Sequence, residues 1–130
     1  MIGYALVGSN DMERSRAFYD ALFGAIGVGR LMEFPTGATA WGASWTTPML
    51  GATPPYDGGP ATAGNGTMIA LVVDERAKVD ALHAKAMELG GADEGAPGVR
   101  GDEGPQAFYG AYFRDPDGNK LCAFRVGPAA

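Results

Sequence analysis

Apolar residues follow two different periods along the chain, and their order predicts a strand and then a helix near the amino terminus. Ile2 to Val7 is a short apolar run, which is typical of a strand. Asp11 is a favourable N-cap for a helix over Met12 to Phe23, and Gly24 stands where a left-handed C-terminal residue is expected. The buried stripe of this helix, spaced i, i+3, i+4 and i+7, is predicted to be Ser15, Phe18, Tyr19 and Leu22.

The same order of patterns returns in the second half of the chain. Thr67 to Val73 predicts a strand, Asp74 is the expected N-cap, and a helix is predicted near Glu75 to Leu89. Gly90 and Gly91 follow this helix as its expected terminators. Its apolar stripe is Val79, Leu82, Ala86 and Leu89. The chain therefore has the pattern of a duplication.

Short extended segments follow each predicted helix. In the first half they are Val28 to Phe34, Ala38 to Ser44 and a weaker segment near Met49; in the second they are Ala92 to Glu94, Ala107 to Arg114 and Lys120 to Val126. The residues from Asp115 to Asn119, with proline and glycine between the acids, predict a hairpin loop. The last two strands are therefore expected to be antiparallel.

These elements predict an α+β fold of two βαβββ modules within a single domain over residues 1–130. The first module spans about residues 1–55 and the second about residues 64–127. The proline- and glycine-rich stretch over about residues 51–66 is the predicted linker.

Composition narrows the possible functions. The 130 residues are 46% hydrophobic, which suffices for a core, and no apolar run approaches the ~20 residues of a membrane helix. The net charge of −5, without a cluster of Lys or Arg, argues against nucleic acid as a partner. Cys122 is the single cysteine, so an intrachain disulfide is excluded and a reducing cytoplasm is the expected location. A small organic ligand or a protein partner remains.

Four segments are informative through their order and spacing: Asp11 to Tyr19, Gly64 to Thr67, Tyr109 to Ala111 and Arg114 to Lys120. Together they resemble the vicinal-oxygen-chelate superfamily of glyoxalases, bleomycin-resistance proteins and dioxygenases. The resemblance covers nearly the whole chain, and it implies paired βαβββ modules whose curled mixed sheets surround a cleft. In metal-dependent relatives that cleft holds a divalent ion, bound by a histidine on the first strand, a histidine on the strand opening the second module and a glutamate on the final strand.

The resemblance places these three ligand positions at Tyr4, Met68 and Cys122, so all three ligands are changed. Tyr4 and Met68 precede Asp11 and Asp74 by nearly the same distance, which supports their equivalence. A phenol of pKa ~10, a thioether and a lone thiol are poor ligands for hard divalent ions. We therefore expect no metal and no cofactor. The three side chains either fill the former cavity as core residues or line a ligand cleft.

Other residues are candidates for the lining of the cleft. Aromatic side chains offer apolar area and a polar edge, and the candidates are Trp41, Trp45, Phe108, Tyr109 and Tyr112. Arg114 could hold an anionic ligand, with pairing to Asp115 or Asp117 as the alternative. His83, within the second helix, is expected to have a structural or solvent-facing role, and Glu33 is a further candidate ligand. A copper(I) site at Met68 and Cys122 is another alternative.

With the three ligands changed, the leading hypothesis is a metal-independent protein that binds a small organic ligand in an aromatic cleft, similar in principle to the bleomycin-resistance branch. Two alternatives stay open. One is a lyase, isomerase or dioxygenase that binds metal through other residues or uses Tyr4 or Cys122 without metal. The other is a dimeric interaction protein with a filled cleft. We also expect a homodimer, because curled sheets leave open edges and a half-covered cleft.

Strand alternation makes the cleft prediction specific. Tyr4, Met68 and Cys122 are expected to converge on one cavity between the two half-sheets. Residues two positions away should share their face, and these are Leu6, Ala70, Lys120 and Phe124. Their neighbours Ala5, Ile69 and Leu121 should point towards the helices.

Overall fold

The protein, seen in a computed structural model that describes residues 1–129, contains two successive βαβββ modules. The first module consists of β1 (Tyr4–Gly8), α1 (Met12–Gly24), β2 (Arg30–Glu33), β3 (Thr39–Trp41) and β4 (Met49–Thr53). The second consists of β5 (Ile69–Val72), α2 (Arg76–Glu88), β6 (Ala92–Arg100), β7 (Phe108–Arg114) and β8 (Lys120–Val126).

Each module forms its own four-stranded mixed sheet with the same topology. The strand order is β1-β4-β3-β2 in the first sheet and β5-β8-β7-β6 in the second. The pairs β1–β4 and β5–β8 are parallel, and the other pairs are antiparallel. The predicted α+β fold of two βαβββ modules is therefore confirmed.

One face of each sheet is covered by the helix of its own module. Helix α1 packs on β3 and β4, α2 packs on β6, β7 and β8, and the two helices also contact each other. Tyr19 and Leu22 of α1 and Leu82 of α2 are fully buried in one continuous core. We call the opposite side of each sheet its open face.

The helix ends differ in detail from the sequence prediction. Asp11 caps α1 as expected, and its carboxylate accepts a hydrogen bond from the Arg14 amide at 3.1 Å. Gly24, however, is the last helical residue, and the left-handed conformation falls at Gly27, with φ of 75°. A further turn of backbone hydrogen bonds beyond α1 delays the reversal to that residue.

The start of α2 also departs from the prediction. Asp74 was the expected N-cap, but Glu75 occupies that position. The Asp74 carboxylate is bound instead by the Lys78 ammonium at 2.7 Å, one helical turn further along. Gly90 has the expected left-handed φ of 87° just after the helix.

Strand β6 is much longer than the predicted segment near Ala92 to Glu94, since it continues to Arg100. Its pairing with β7 contains two register irregularities, between Asp93 and Gly95 and between Gly95 and Gly98. Glycine, proline and these bulges hide the strand pattern, because alternation is broken at each irregularity.

The loop between β7 and β8 forms the predicted hairpin and also joins the two modules. Asp115 in this loop is buried, and its Oδ2 accepts a 2.6 Å hydrogen bond from the Tyr19 hydroxyl of α1. Asn119 donates to the Gly8 carbonyl at 2.8 Å, and the Asp117 Oδ1 accepts from the Asn10 amide at 2.9 Å. The hairpin therefore fixes the position of the second module against the first.

Within residues 1–129, neither helix has the length and apolar character required to cross a membrane.

Candidate functional site

A pocket of about 290 Å³ opens on the open face of the first sheet. Its wall is almost wholly apolar, with hydroxyl groups contributed by a tyrosine and a threonine. The lining residues are Tyr4, Leu6, Phe34, Thr36, Ala38, Ala40, Trp45, Met49 and Gly51. We call this cavity the first-sheet pocket.

Strand alternation explains why these side chains meet. On β1, Ala5 and Val7 pack into the core, so Tyr4 and Leu6 point to the open face. A Cβ atom at Gly51 would lie 2.7 Å from the Leu6 Cδ2 atom, so the glycine leaves room for Leu6 over the sheet. Ala40 of β3 and Ala38, just before that strand, have small side chains, so space for the pocket remains above them.

Two aromatic side chains form one side of the first-sheet pocket. The rings of Phe34 and Trp45 meet edge to face, with centroids 6.0 Å apart. Trp45 is 55% exposed and Tyr4 is 65% exposed, so the pocket is only half covered in the single chain. Contact with an apolar ligand or with another protein surface would remove these exposed aromatic groups from water, which is favourable in free energy.

The open face of the second sheet has a different character. Cys122 and Tyr112 are direct cross-strand neighbours there, and Cys122 is buried. Burial is the main cause that raises the pKa of the Cys122 thiol, and burial together with Cys122 raises the pKa of the Tyr112 phenol. Arg100 and Lys120 lie over the Tyr112 ring, with the Arg100 Cζ at 5.6 Å and the Lys120 Nζ at 5.7 Å from its centroid.

The alternation expected around Tyr4, Met68 and Cys122 agrees with the burial seen. Leu121 is fully buried in the core, and Ala5 and Ile69 pack against that core. Leu6 lines the first-sheet pocket, and Ala70 is exposed. The predicted division of these strands into a helix side and an open face is therefore found.

The candidate cleft residues divide between the two open faces. Tyr4 and Trp45 line the first-sheet pocket. Met68 precedes β5 and is 43% exposed, and Cys122 lies on the second sheet. Convergence of Tyr4, Met68 and Cys122 on one cavity stays a prediction, since the first-sheet pocket is lined by Tyr4 but by neither of the other two.

Phe108 and Tyr112 belong to the second open face, where Phe108 stacks on Phe124 at 5.4 Å.

Trp41 and Tyr109 are placed outside the cleft, on the helix sides of their sheets. Trp41 is 1% exposed, and its indole N–H donates to the Asp20 carboxylate of α1 at 2.9 Å. Tyr109 donates to the Asp80 carboxylate of α2 at 2.6 Å, a bond that raises its pKa. The aromatic character of these two residues does not tell whether they lie on the helix side or on the open face, because strand register decides to which face of the sheet a side chain points.

The charged candidates also have structural partners. Arg114 does not pair with Asp115 or Asp117; its Nε donates to Glu94 at 2.7 Å. Glu33 pairs with Arg30 at 2.8 Å and is not among the residues that line the first-sheet pocket.

His83 has the structural role that was expected of it. Its side chain is largely buried, and its Nε2 lies 2.9 Å from the Asp93 carboxylate, whose pKa this hydrogen bond lowers. The imidazole also meets the Phe113 ring edge to face.

The donor set at the three positions where the resemblance places ligands does not fit a divalent metal. Within residues 1–129, no three side chains of histidine, cysteine, aspartate or glutamate lie close enough together to hold a metal ion. Tyr4, Met68 and Cys122 offer a phenol, a thioether and a thiol whose raised pKa favours its protonated form.

Sequence reasoning missed Phe34, Ala38 and Ala40 of the first-sheet pocket, and also Arg100. Phe34 and Ala38 flank β2 and β3, and Ala40 is the middle residue of β3; these strands of four and three residues are too short for the face of a side chain to be read from alternation. Arg100 was missed because β6 was predicted to end near Glu94.

The fold agrees with a comparison to protein families. A family model described as the Glyoxalase/Bleomycin resistance protein/Dioxygenase superfamily matches residues 1–123. The chain belongs to this superfamily. A search of curated proteins found no match.

Solved structures support the same assignment. A glyoxalase/bleomycin resistance protein from Albidiferax ferrireducens T118 is 37% identical with a TM-score of 0.85, and the match covers 96% of this chain and 98% of that chain. A hypothetical protein from S. aureus is 26% identical with a TM-score of 0.71, covering 96% and 92%. A lactoylglutathione lyase from Agrobacterium tumefaciens, at 22% identity and a TM-score of 0.65 with 96% and 92% covered, shares the fold.

Proposed function

We propose that the protein binds a small, largely apolar organic ligand in the first-sheet pocket. The observation that carries this proposal is the nature of the lining, in which Tyr4, Phe34 and Trp45 surround a floor of alanine and glycine. Ligand pockets are typically apolar cavities with a few polar groups, with volumes from ~300 Å³ upward. The hydroxyls of Tyr4 and Thr36 are the polar groups here, and they would orient the ligand.

Affinity in such a pocket comes mainly from removal of apolar surface from water. Each Å² of apolar surface that is buried contributes roughly 25 cal/mol before the entropy of association is subtracted. The exposed faces of Trp45 and Tyr4 supply such surface on the protein side. A flat aromatic or alicyclic ligand that lies between these two rings would cover both of them.

We propose that this binding needs no metal ion and takes place in the cytoplasm. The donor set of Tyr4, Met68 and Cys122 supports metal independence, because it contains neither imidazole nor carboxylate. Similarity to a protein described as a glyoxalase/bleomycin resistance protein is compatible with ligand sequestration as well as with catalysis. The unpaired, buried Cys122 is compatible with a reducing compartment.

The proposal is tested with N-phenyl-1-naphthylamine, a neutral fluorophore that brightens in apolar sites. We expect saturable binding to the protein, with an affinity that falls about tenfold in Trp45→Ala and in Ala40→Leu. The first change removes an aromatic wall, and the second fills the floor with extra methyl groups. Fluorescence titration gives the dissociation constants.

Tyr56→Ala is the matched control, because Tyr56 is a fully exposed aromatic residue outside the pocket. It should bind the probe as the parent protein does. Equal binding by all variants, or absence of binding to the parent, would contradict the proposal. Elemental analysis of protein purified without added metal is the second measurement, and a stoichiometric transition metal would favour a metal-dependent enzyme instead.

A further inference from the structure

The chain contains three asparagines, and the structure holds two of their side chains in place. The Asn10 Oδ1 accepts a hydrogen bond from the Ala61 amide at 2.6 Å, and its Nδ2 donates to the Ala61 carbonyl at 3.2 Å. The Asn119 Nδ2 donates to the Gly8 carbonyl at 2.8 Å. Asn65 is exposed, and its side-chain amide forms no hydrogen bond with the rest of residues 1–129. Asn65 is therefore the asparagine whose side chain is free to rotate.

Asn65 lies in a turn of the linker, just before the second module. The Thr67 amide donates to the Gly64 carbonyl at 3.3 Å, which is long for a backbone hydrogen bond. Gly66 has φ of 95°, and Asn65 has no positive φ, as in a type II turn. A Cβ atom at Gly66 would meet nothing within 4 Å among the described residues. The turn is therefore open to water and closed by one weak bond.

The backbone nitrogen that follows Asn65 is also free. Among residues 1–129, the Gly66 N–H donates no hydrogen bond. Two other glycines directly follow an aspartate, Gly58 and Gly118, and each donates to a backbone carbonyl, at 3.1 Å and 2.9 Å respectively. Because glycine has no Cβ atom, the side chain of the preceding residue can approach its nitrogen without a steric obstacle.

We propose that Asn65 is a site of spontaneous deamidation. The Gly66 nitrogen attacks the Asn65 Cγ, the new N–Cγ bond closes a five-membered succinimide, and the Cγ–Nδ2 bond breaks. The proton of the Gly66 amide leaves with the side-chain nitrogen as ammonia. Water then opens the ring. Addition at Cγ gives aspartate, and addition at the main-chain carbonyl of Asn65 gives isoaspartate. The reaction needs water alone as co-reactant, and asparagine is one of the thermolabile residue types.

Both products change the place where the linker enters the second module. Each adds a negative charge to a chain whose net charge is −5. Isoaspartate also routes the backbone through the former side chain, so one more carbon atom separates Gly64 from Thr67 and their hydrogen bond cannot keep its geometry. The next strand, β5, pairs only with β8 in the described chain. This inference goes beyond the proposed function, because it rests on the linker and not on the first-sheet pocket.

The test compares the intact protein with a synthetic peptide of residues 60–71 during incubation in neutral buffer. Peptide mapping with electron-transfer fragmentation measures deamidation at each asparagine and separates aspartate from isoaspartate. We expect Asn65 to react in the protein within about tenfold of its rate in the peptide, because a single neutral hydrogen bond slows the reaction by no more than about tenfold. Asn10 and Asn119 should keep their amides over the same time.

Asn65→Gln is the matched control, because it keeps the amide but would have to close a less favourable six-membered ring. It should remain unmodified at this position over the same incubation. An Asn65 that reacts in the peptide but stays intact in the protein, or reacts more than about tenfold more slowly there, would overturn the proposal. Equal conversion of Asn10 or Asn119 would also overturn it, since their side chains are bound. The probe of the first-sheet pocket has no part in this measurement, so either proposal can fail alone.

Discussion

The hydrogen bond between Tyr19 and Asp115 joins two residues that are 96 positions apart in the sequence. Tyr19 is fully buried, and burial is the largest cause that raises its pKa well above 10.0, followed by the negative charge of Asp115. The Asp115 carboxylate is also bound by Asn119 and by the backbone amides of its own loop. A residue of the first module therefore completes a loop of the second.

We predict that Tyr19→Phe destabilises the protein by about 1–3 kcal/mol, because a buried carboxylate loses one of its donors. The pH dependence has a definite sign. A raised folded-state pKa means that the native state holds its proton more tightly, so the contribution of Tyr19 is complete below about pH 10 and falls as the pH rises above it. Urea denaturation at pH 7 and above pH 10 measures both effects.

The difference in stability between parent and Tyr19→Phe should therefore shrink at alkaline pH. Tyr56→Phe, at a fully exposed tyrosine, should change neither the stability at pH 7 nor its dependence on pH. A Tyr19→Phe protein as stable as the parent at pH 7 would show that the hydrogen bond contributes nothing to the docking of the modules.

At the scale of elements, the end of α1 shows how two glycines with similar surroundings have opposite roles. Gly24 is the last residue of the helix and has no positive φ, whereas Gly27 is left-handed. For both positions, a Cβ atom would meet nothing within 4 Å among the described residues. Backbone conformation is therefore the difference between them that affects stability.

We predict that Gly24→Ala stabilises the protein by about 0.5–1 kcal/mol and that Gly27→Ala destabilises it by about 1–2 kcal/mol. Alanine at position 24 lowers the entropy of the unfolded chain at a helical position, and alanine at position 27 is forced into a left-handed conformation. Thermal and chemical denaturation of the two variants form a matched pair. Changes of the same sign in both would refute the assigned position of the helix end.

At the scale of the whole molecule, both open faces carry exposed apolar side chains. On the first sheet, Leu6 is 51% exposed and Tyr4 is 65% exposed. On the second sheet, Val72 is 72% exposed, and Met68, just before β5, is 43% exposed. In the described chain, β1 and β5 are edge strands of their sheets. Association of two chains buries apolar faces and can pair free strand edges. Apolar faces next to free edges therefore favour association.

We propose that two copies of the chain associate along these free strand edges, so that the contact borders the half-covered first-sheet pocket and does not fill it. Light scattering after size-exclusion chromatography should then give twice the 13.4 kDa chain mass at micromolar concentration. Leu6→Glu should shift the protein to the monomer, because it places a charge on the apolar face. Tyr56→Glu, in an exposed loop, should leave the dimer intact. A monomer mass for the parent protein at high micromolar concentration would refute the proposal.

The sequence by itself determined the elements and their order. Helical spacing of Phe18, Tyr19 and Leu22 and the N-cap at Asp11 suffice to predict α1, because both signals lie within one segment. The hairpin from Asp115 to Asn119 and the repetition of one pattern in both halves predict the βαβββ topology for the same reason. Alternation also predicted correctly that Ala5, Ile69 and Leu121 face the helices.

Only the tertiary structure decided which side chains share a site. Trp41 and Trp45 are four residues apart and chemically identical, yet Trp41 lies in the core and Trp45 in the first-sheet pocket. Arg100 reaches Tyr112 because β6 continues through two irregularities. Local patterns record periodicity within a segment, whereas register, bulges and the packing of one module on another arise from contacts between distant residues. Those contacts place the apolar pocket on one sheet and the two cations on the other.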